Sequence, residues 1–285
     1  MPTSSSPSSS IQAARQALAD RLKELRLDAG LTAIALAAAA GWERTKVSKI
    51  EHAARSPSIT DVRAWCRICG AAEQSDDLIA ALRAAEGAYV EWKRLQRTGL
   101  RRLQESRLPL FERTREFRIY CSQVVPGLLQ TPEYASALLR SIAIQNETPD
   151  DVAEAVQARV ACARVLRQGG HRFAFIIEEA VLYYRLGGTE VMAGQLGHLL
   201  TVMSLPSVAI GVIPFARTRA TWPLHTFSMY DAVEVRVELL TAAVTVTAPG
   251  EIEQYRKAFE VLASMAVYGA AARELVVRAV TSLDD

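Results

Sequence analysis

The segment from Leu31 to Ser58 constrains the fold more than any other part of the chain, because its spacing predicts two short helices around a tight turn. Thr32 has a hydroxyl suited to capping the first helix, and Gly41 tolerates the positive φ that such a turn requires. The buried face of that helix is predicted to use Ile34 or Ala35, together with Leu36, Ala37 and Ala40.

The second helix is predicted to have one apolar and one polar face. Trp42, Val47 and Ile50 fall at helical spacing and point together toward the first helix. The side chains left facing outward are Arg44, Thr45, Ser48 and Lys49. This set favours a DNA-binding surface, with an alanine-rich helical bundle that binds no DNA as the alternative. A preceding helix, roughly Ile11–Ala29, is predicted to supply the apolar surface on which these two short helices pack.

The segment resembles the helix-turn-helix of Xre or lambda-repressor-like regulators, in the form found in actinobacteria. The residues that carry the resemblance are Gly41, Trp42, Thr45, Lys46, Val47, Ser48, Lys49, Ile50 and Glu51, followed by Arg55, Ser56, Pro57 and Ser58. Two positions depart from the usual pattern: Ala33 stands where Gln is frequent, and Glu43 where Ser is frequent. The first removes a phosphate contact, and the second places an acidic group near DNA.

The resemblance implies a division of roles among the DNA-binding residues. In a docked helix-turn-helix the early and middle residues of the second helix reach base edges, which here are Arg44, Thr45 and Lys49, with Ser48 on the same surface. Thr32, Lys46 and Arg55 are expected to contact phosphates.

Charge is distributed unevenly along the chain. The net charge is only +2, but residues 1–120 carry 20 Lys and Arg against 14 Asp and Glu, whereas residues 121–285 carry 13 against 17. A basic N-terminal part is what a domain that meets a polyanion requires. With 285 residues, half of them hydrophobic, the chain is expected to form more than one domain.

Four parts are predicted along the chain: a disordered polar tail at 1–10, a helix-turn-helix domain at 11–75, a helical connector at 76–110, and a domain at 111–285 for signal or partner binding and for dimerisation. A helix at Ile59–Cys69, ended by Gly70, closes the first domain. No apolar run reaches the ~18 residues that a membrane span needs, and no export signal is present, so a cytoplasmic protein with reduced thiols is expected.

The whole chain is predicted to be mainly α, with an α+β C-terminal part that holds a small, mainly antiparallel sheet. Strands are predicted at Arg172–Glu178, Val208–Pro214, His225–Tyr230, Val233–Leu239 and Ala243–Thr247. Helices are predicted from Pro132, capped by Thr131, and at Pro149–Gln168, Val191–Ser204, Ile252–Val267 and Ala270–Ser282.

This part is similar to the DUF5753 domain of actinobacterial Xre-type regulators, a group that includes the WhiJ-like regulators of Streptomyces. The motifs that carry the similarity are PGLLQTPEYA from Pro126, FIIEEAVLYYRLGG from Phe175, LPSVAIGVIPF from Leu205 and YRKAFEVLASMAV from Tyr255. Neighbouring genes in this family often encode a small DUF397-type protein, which implies a possible protein partner.

The sequence shows no catalytic or metal-binding pattern. The four histidines are scattered, and the Cys66–Cys69 pair has no second pair to complete a zinc site, so both thiols are expected to pack in a helix. Glu178 and Glu179 follow an apolar strand, but neighbours on a strand face opposite ways, which favours a structural role. No enzyme activity, cofactor or metal is therefore expected.

Three functions remain open at this stage. The favoured one is a sequence-specific regulator that binds double-stranded operator DNA as a homodimer and receives a protein or small-molecule signal. The others are an antitoxin-like module that sequesters the DUF397-type partner, and an unrecognised enzyme in the C-terminal domain. Weak candidates for a ligand or partner surface are Tyr183, Tyr184, Trp222 and His225.

Overall fold

In a computed structural model of the protein, the apolar spacing of the N-terminal part forms a helical bundle. Its helices are α1 (Pro7–Asp28), α2 (Ala33–Ala40), α3 (Arg44–Glu51), α4 (Ile59–Ile68) and α5 (Ser75–Gly87). The structure describes residues 7–87, 89–91, 95–97, 99–240 and 242–283, and it divides the chain into two compact units, Met1–Val90 and Glu91–Asp285.

The core of the N-terminal unit forms where the first four helices meet. Leu22, Leu36, Val47 and Trp65 are fully buried there, and the Trp65 indole N–H donates to the Leu22 carbonyl at 2.9 Å. The Cys66–Cys69 pair lies on this core with both thiols free, and burial raises the pKa of each. Ile34 or Ala35 was predicted to be buried, but both are exposed, Ile34 at 55%, because so short a helix turns only a narrow stripe inward.

The predicted connector at 76–110 is not a separate element. Helix α5 packs on α1 and α4, and Leu78, Ile79 and Leu82 are buried in the same core as Leu22 and Trp65. The sequence prediction missed this because the apolar stripe of α5 is compatible with either a linker or a bundle helix. Residues 88, 92–94 and 98 of the connector lie outside the described residues.

The predicted tail at 1–10 is also shorter in the structure. Helix α1 begins at Pro7, so the last four residues of that segment, 7–10, are helical, while 1–6 lie outside the described residues.

A short strand, β1 (Tyr89–Glu91), is followed by the elements of the C-terminal unit. These are α6 (Leu100–Glu105), α7 (Leu108–Arg113), β2 (Glu116–Cys121), α8 (Pro132–Asn146), α9 (Val152–Cys162), β3 (Arg172–Glu178), α10 (Thr189–Val202), β4 (Val208–Ile213), β5 (Phe227–Tyr230), β6 (Glu234–Glu238), β7 (Ala242–Val246), α11 (Pro249–Met265) and α12 (Gly269–Thr281). The strand at Arg172–Glu178 has the predicted bounds.

Strands β2 to β7 form a mixed sheet in the order β7-β6-β5-β2-β3-β4. Strands β2, β3 and β4 are parallel, and the pairs β2–β5, β5–β6 and β6–β7 are antiparallel. The prediction of a small, mainly antiparallel sheet was therefore wrong for half of it. Helices α8 and α9 connect β2 to β3, and α10 connects β3 to β4, and such crossovers return the chain in the same direction.

The parallel half of the sheet is covered by helices, which explains its continuous apolar runs. Helices α10 and α12 pack together, and their buried residues share one core with Phe117, Phe175 and Val212 of the sheet. On α11, Tyr255 and Phe259 pack their rings against Phe227 of β5.

Candidate nucleic-acid interface

The turn between α2 and α3 is built as the sequence predicts. The Thr32 hydroxyl oxygen accepts a hydrogen bond from the Ala35 N–H at 3.1 Å and so caps α2. Gly41 has φ +66°, and the Trp42 N–H returns to the Ala37 carbonyl at 2.8 Å. A positive φ at this point ends α2 and sets the start of α3.

Helix α3 presents one polar face to solvent. The residues on this face are Arg44, Thr45, Ser48 and Lys49, and all four are exposed. Among the described residues, none of these four side chains makes a hydrogen bond or an ion pair. The opposite side of α3 is anchored through buried Val47 and Ile50, so the polar face is free to meet a ligand while the helix itself is held.

Lys46 has a different partner from the predicted phosphate. Its ammonium lies 2.6 Å from Oδ1 of Asp61 and 4.3 Å from the centroid of the Trp42 ring, and its side chain is only 18% exposed. Asp61 also accepts the Ser58 N–H at 3.1 Å, while the Ser58 hydroxyl accepts the Asp61 N–H, which completes a capping box at the start of α4. Lys46 thus ties α3 to α4.

A buried ion pair anchors the other end of α3. The Arg26 guanidinium contacts both carboxylate oxygens of Glu51, at 2.5 and 3.1 Å, and also donates to the Leu31 carbonyl at 2.6 Å. Both side chains are less than a tenth exposed. The pair therefore joins the end of α1 to the end of α3, and Arg26 also holds Leu31, just before the N-cap of α2.

The remaining predicted DNA contacts flank the polar face of α3. Thr32 and Arg55 are exposed, and the Arg55 backbone N–H donates to the Lys49 carbonyl at 3.1 Å. Glu43 precedes α3 as its N-cap, is exposed, and makes no side-chain cap. Sequence reasoning missed Asp61, although its place three residues after Ser58 is the signature of a capping box.

The weak ligand candidates of the C-terminal unit do not form a pocket in the structure. Trp222, Tyr184 and His225 are exposed, and Tyr183 packs its ring 5.8 Å from that of Phe215. None of the four lines any of five cavities among the described residues, including the cavity of about 180 Å³ bounded by Gln104, Gln130 and Arg159. A ligand role for them stays a prediction.

Glu178 and Glu179 are both engaged within the fold. The Glu178 carboxylate accepts two hydrogen bonds from Arg219, at 2.7 and 2.5 Å, and one from the Tyr120 hydroxyl at 2.8 Å. Burial, and then the contact with Glu178, raises the pKa of Tyr120. Glu179 accepts the Phe215 N–H at 2.7 Å. The two carboxylates thus hold the loop after β4 against the end of β3.

The described residues contain neither a metal-binding cluster nor a membrane-spanning helix. No group of three or more His, Cys, Asp or Glu side chains is arranged to hold a metal ion. Within the same residues, no helix has the length and apolar character needed to cross a membrane.

Comparison with known proteins assigns both parts of the chain. The family model described as Domain of unknown function (DUF5753) matches residues 110–278, which is more than half of the chain. The chain belongs to this DUF5753 family. In this DUF5753 protein, a second model, described as Helix-turn-helix domain, matches residues 17–82. That match includes α2, the turn and α3, and it extends to Leu82 of α5.

Other comparisons add little for this DUF5753 protein. No match to the chain is found among curated proteins. A solved structure of a phospholipase D family member, Nuc from Salmonella typhimurium, is similar over 60% of this chain and 91% of its own, with 12% identity and a TM-score of 0.34. A likeness at that TM-score carries no argument.

Proposed function

We propose that this protein is a transcriptional regulator of the actinobacterial Xre type that binds a specific double-stranded DNA site as a homodimer in the cytoplasm. The observation that carries the proposal is the free polar face of α3: four exposed side chains without partners among the described residues, on a helix anchored from behind. The match to a helix-turn-helix domain supports the same conclusion.

The proposed DNA contacts differ from those expected from the sequence at one residue, Lys46. Arg44, Thr45, Ser48 and Lys49 are proposed to face base edges, with Arg44 or Lys49 at the O6 and N7 atoms of guanine. Thr32 and Arg55 are proposed as phosphate contacts. Lys46 is no longer proposed as a phosphate contact, because its ammonium already contacts Asp61 and the Trp42 ring. It is proposed instead to position α3 against α4.

A gel-shift titration with DNA fragments from the protein's own locus tests the proposal. Arg44→Ala should lose roughly 1–3 kcal/mol of binding free energy at the specific site and far less on random DNA. Lys257→Ala removes an exposed positive charge from α11 and is the matched control, with no change expected on either DNA. Equal losses from Arg44→Ala on both kinds of DNA would leave Arg44 as a phosphate contact only.

The C-terminal unit is proposed to bind a signal molecule or a partner protein without catalysing a reaction on it. The carboxylates nearest to an acid-base pair, Glu178 and Glu179, are already occupied by Arg219, Tyr120 and Phe215. Sequestration of a small DUF397-type protein remains the alternative function. Gel-shift assays with and without that neighbour-encoded protein separate the two functions. A regulator binds its specific DNA site in the absence of the small protein, whereas an antitoxin-like module shows no specific DNA binding.

A further inference from the structure

A cavity of about 180 Å³ lies within the C-terminal unit. It is comparable to the ~150 Å³ cavity that accepts a benzene molecule in an engineered protein core. Its lining includes apolar side chains, among them Ile119, Leu138 and Ile142, and polar or charged ones, among them Gln104, Gln130 and Arg159, with Arg107 and Glu238. A small pocket with an apolar wall and a few convergent polar groups is the usual form of a ligand site.

The positive charges around this cavity are not fully balanced. Arg107 pairs with Glu238 at 2.8 Å, and Arg236 pairs with Glu234 at 2.6 Å. Arg159 has only neutral partners: its Nε donates to the Gln104 side-chain oxygen at 3.0 Å, and its Nη1 to that of Gln130 at 2.7 Å. Among the described residues, no carboxylate forms an ion pair with Arg159, and its Nη2 makes no hydrogen bond.

The charged form of Arg159 is disfavoured where it lies. Burial, and then the nearby charge of Arg107, lowers the pKa of Arg159 to about 10 against the opposing effect of the Glu238 carboxylate, so the guanidinium stays positive at neutral pH. The two glutamines are themselves almost fully buried, so they fix the guanidinium at the cavity without neutralising it. A bound anion would supply the missing charge and accept hydrogen bonds from Nη1 and Nη2.

We propose that this cavity binds a small organic carboxylate, with its charged group on Arg159 and its apolar body against Ile119, Leu138 and Ile142. One unbalanced guanidinium matches a single negative charge, and its planar edge matches a carboxylate. The hydrocarbon side chains of Ile119, Leu138 and Ile142 offer no hydrogen-bonding group, so they suit the apolar body of such a ligand. The inference deepens the proposed function, since it gives the chemical class of the signal.

The site is connected to the start of the C-terminal unit. Gln104, which holds Arg159, belongs to α6, and the Asp151 carboxylate fixes that helix by accepting the Leu100 and Arg101 N–H groups at 2.8 and 2.9 Å. A carboxylate on Arg159 therefore binds beside a contact that secures α6 to α9.

Calorimetric titration of the full chain, without DNA, tests the binding directly. The probes are phenylacetate and hexanoate, their neutral amides, and inorganic phosphate. Each carboxylate should bind about tenfold or more tightly than its amide, because only the carboxylate gains charge-assisted hydrogen bonds. Tighter binding of inorganic phosphate, or no binding of either carboxylate at about 10 mM, would overturn the proposal.

Variants assign the preference to Arg159. Arg159→Gln should abolish the discrimination between acid and amide, and Arg159→Lys should keep part of it. Leu138→Trp should fill part of the cavity and weaken both ligands, and it keeps the test open if Arg159→Gln does not fold. Arg140→Gln, an exposed arginine on α8 outside the cavity, is the matched control. Unchanged discrimination in Arg159→Gln would refute the assignment. Since no DNA is present, either result is independent of operator binding.

Discussion

Lys46 and Asp61 form an ion pair that fixes α3 to α4. Burial alone would raise the pKa of Asp61, but the hydrogen bonds from Lys46 and Ser58 outweigh it and hold the pKa below the ordinary value of 3.8. The pair therefore stabilises the folded state fully above that ordinary value, and the contribution is lost as the pH falls through the lower folded-state pKa.

Asp61→Asn should lower the unfolding free energy at neutral pH by about 1–3 kcal/mol, because Lys46 loses a charged acceptor. The variant should also lose less stability than the parent when the pH drops below about 4, since its side chain no longer titrates. Urea unfolding at both pH values measures this. Glu253→Gln, which breaks a solvent-exposed pair on α11, is the control and should change little. Identical pH profiles for the parent and Asp61→Asn would contradict the assignment.

Helix α5 completes the bundle, which changes where the helix-turn-helix domain ends. Leu82 is 1% exposed, whereas Leu27, at the end of α1, is 56% exposed. Leu82→Ala should destabilise the N-terminal unit by about 2–5 kcal/mol, and Leu27→Ala by less than about 0.5 kcal/mol. Thermal unfolding followed by circular dichroism compares them. A fragment ending at residue 75, as the sequence suggested, should be far less stable than one ending at residue 90.

Elements with local signals were predictable, and those that depend on distant partners were not. The local signals predicted the caps at Thr32 and Thr131, the turn at Gly41 and the strand at Arg172–Glu178. Each of these features is encoded by a few neighbouring residues. Strand direction has no such signal, which is why the parallel half of the sheet was missed. The partner of Lys46 lies 15 residues away, and the cavity at Arg159 gathers side chains from Gln104 to Glu238.

At the scale of the whole molecule, a single helix-turn-helix covers too little DNA for high specific affinity, so two copies are expected on a partly palindromic site. The full chain should bind such a site at least about tenfold more tightly than a fragment of residues 1–90, provided that the C-terminal unit dimerises. Its affinity should fall with salt at a slope of about −0.9 per phosphate contacted. Footprinting titrations at several salt concentrations measure the two affinities and their salt dependence, and sedimentation measures whether the full chain is a dimer. Equal affinity of fragment and full chain would show that the second unit does not bring two copies together.

The polar face of α3 has a consequence for how regulators of the proposed kind diversify. Its four outward side chains take no part in the contacts that hold the helix, which run through Val47, Ile50, Lys46 and Glu51 instead. Substitutions at the outward positions change what is read without a stability penalty to be compensated elsewhere. After gene duplication, two copies can therefore drift to separate target sites by single codon changes, and each intermediate remains a folded protein.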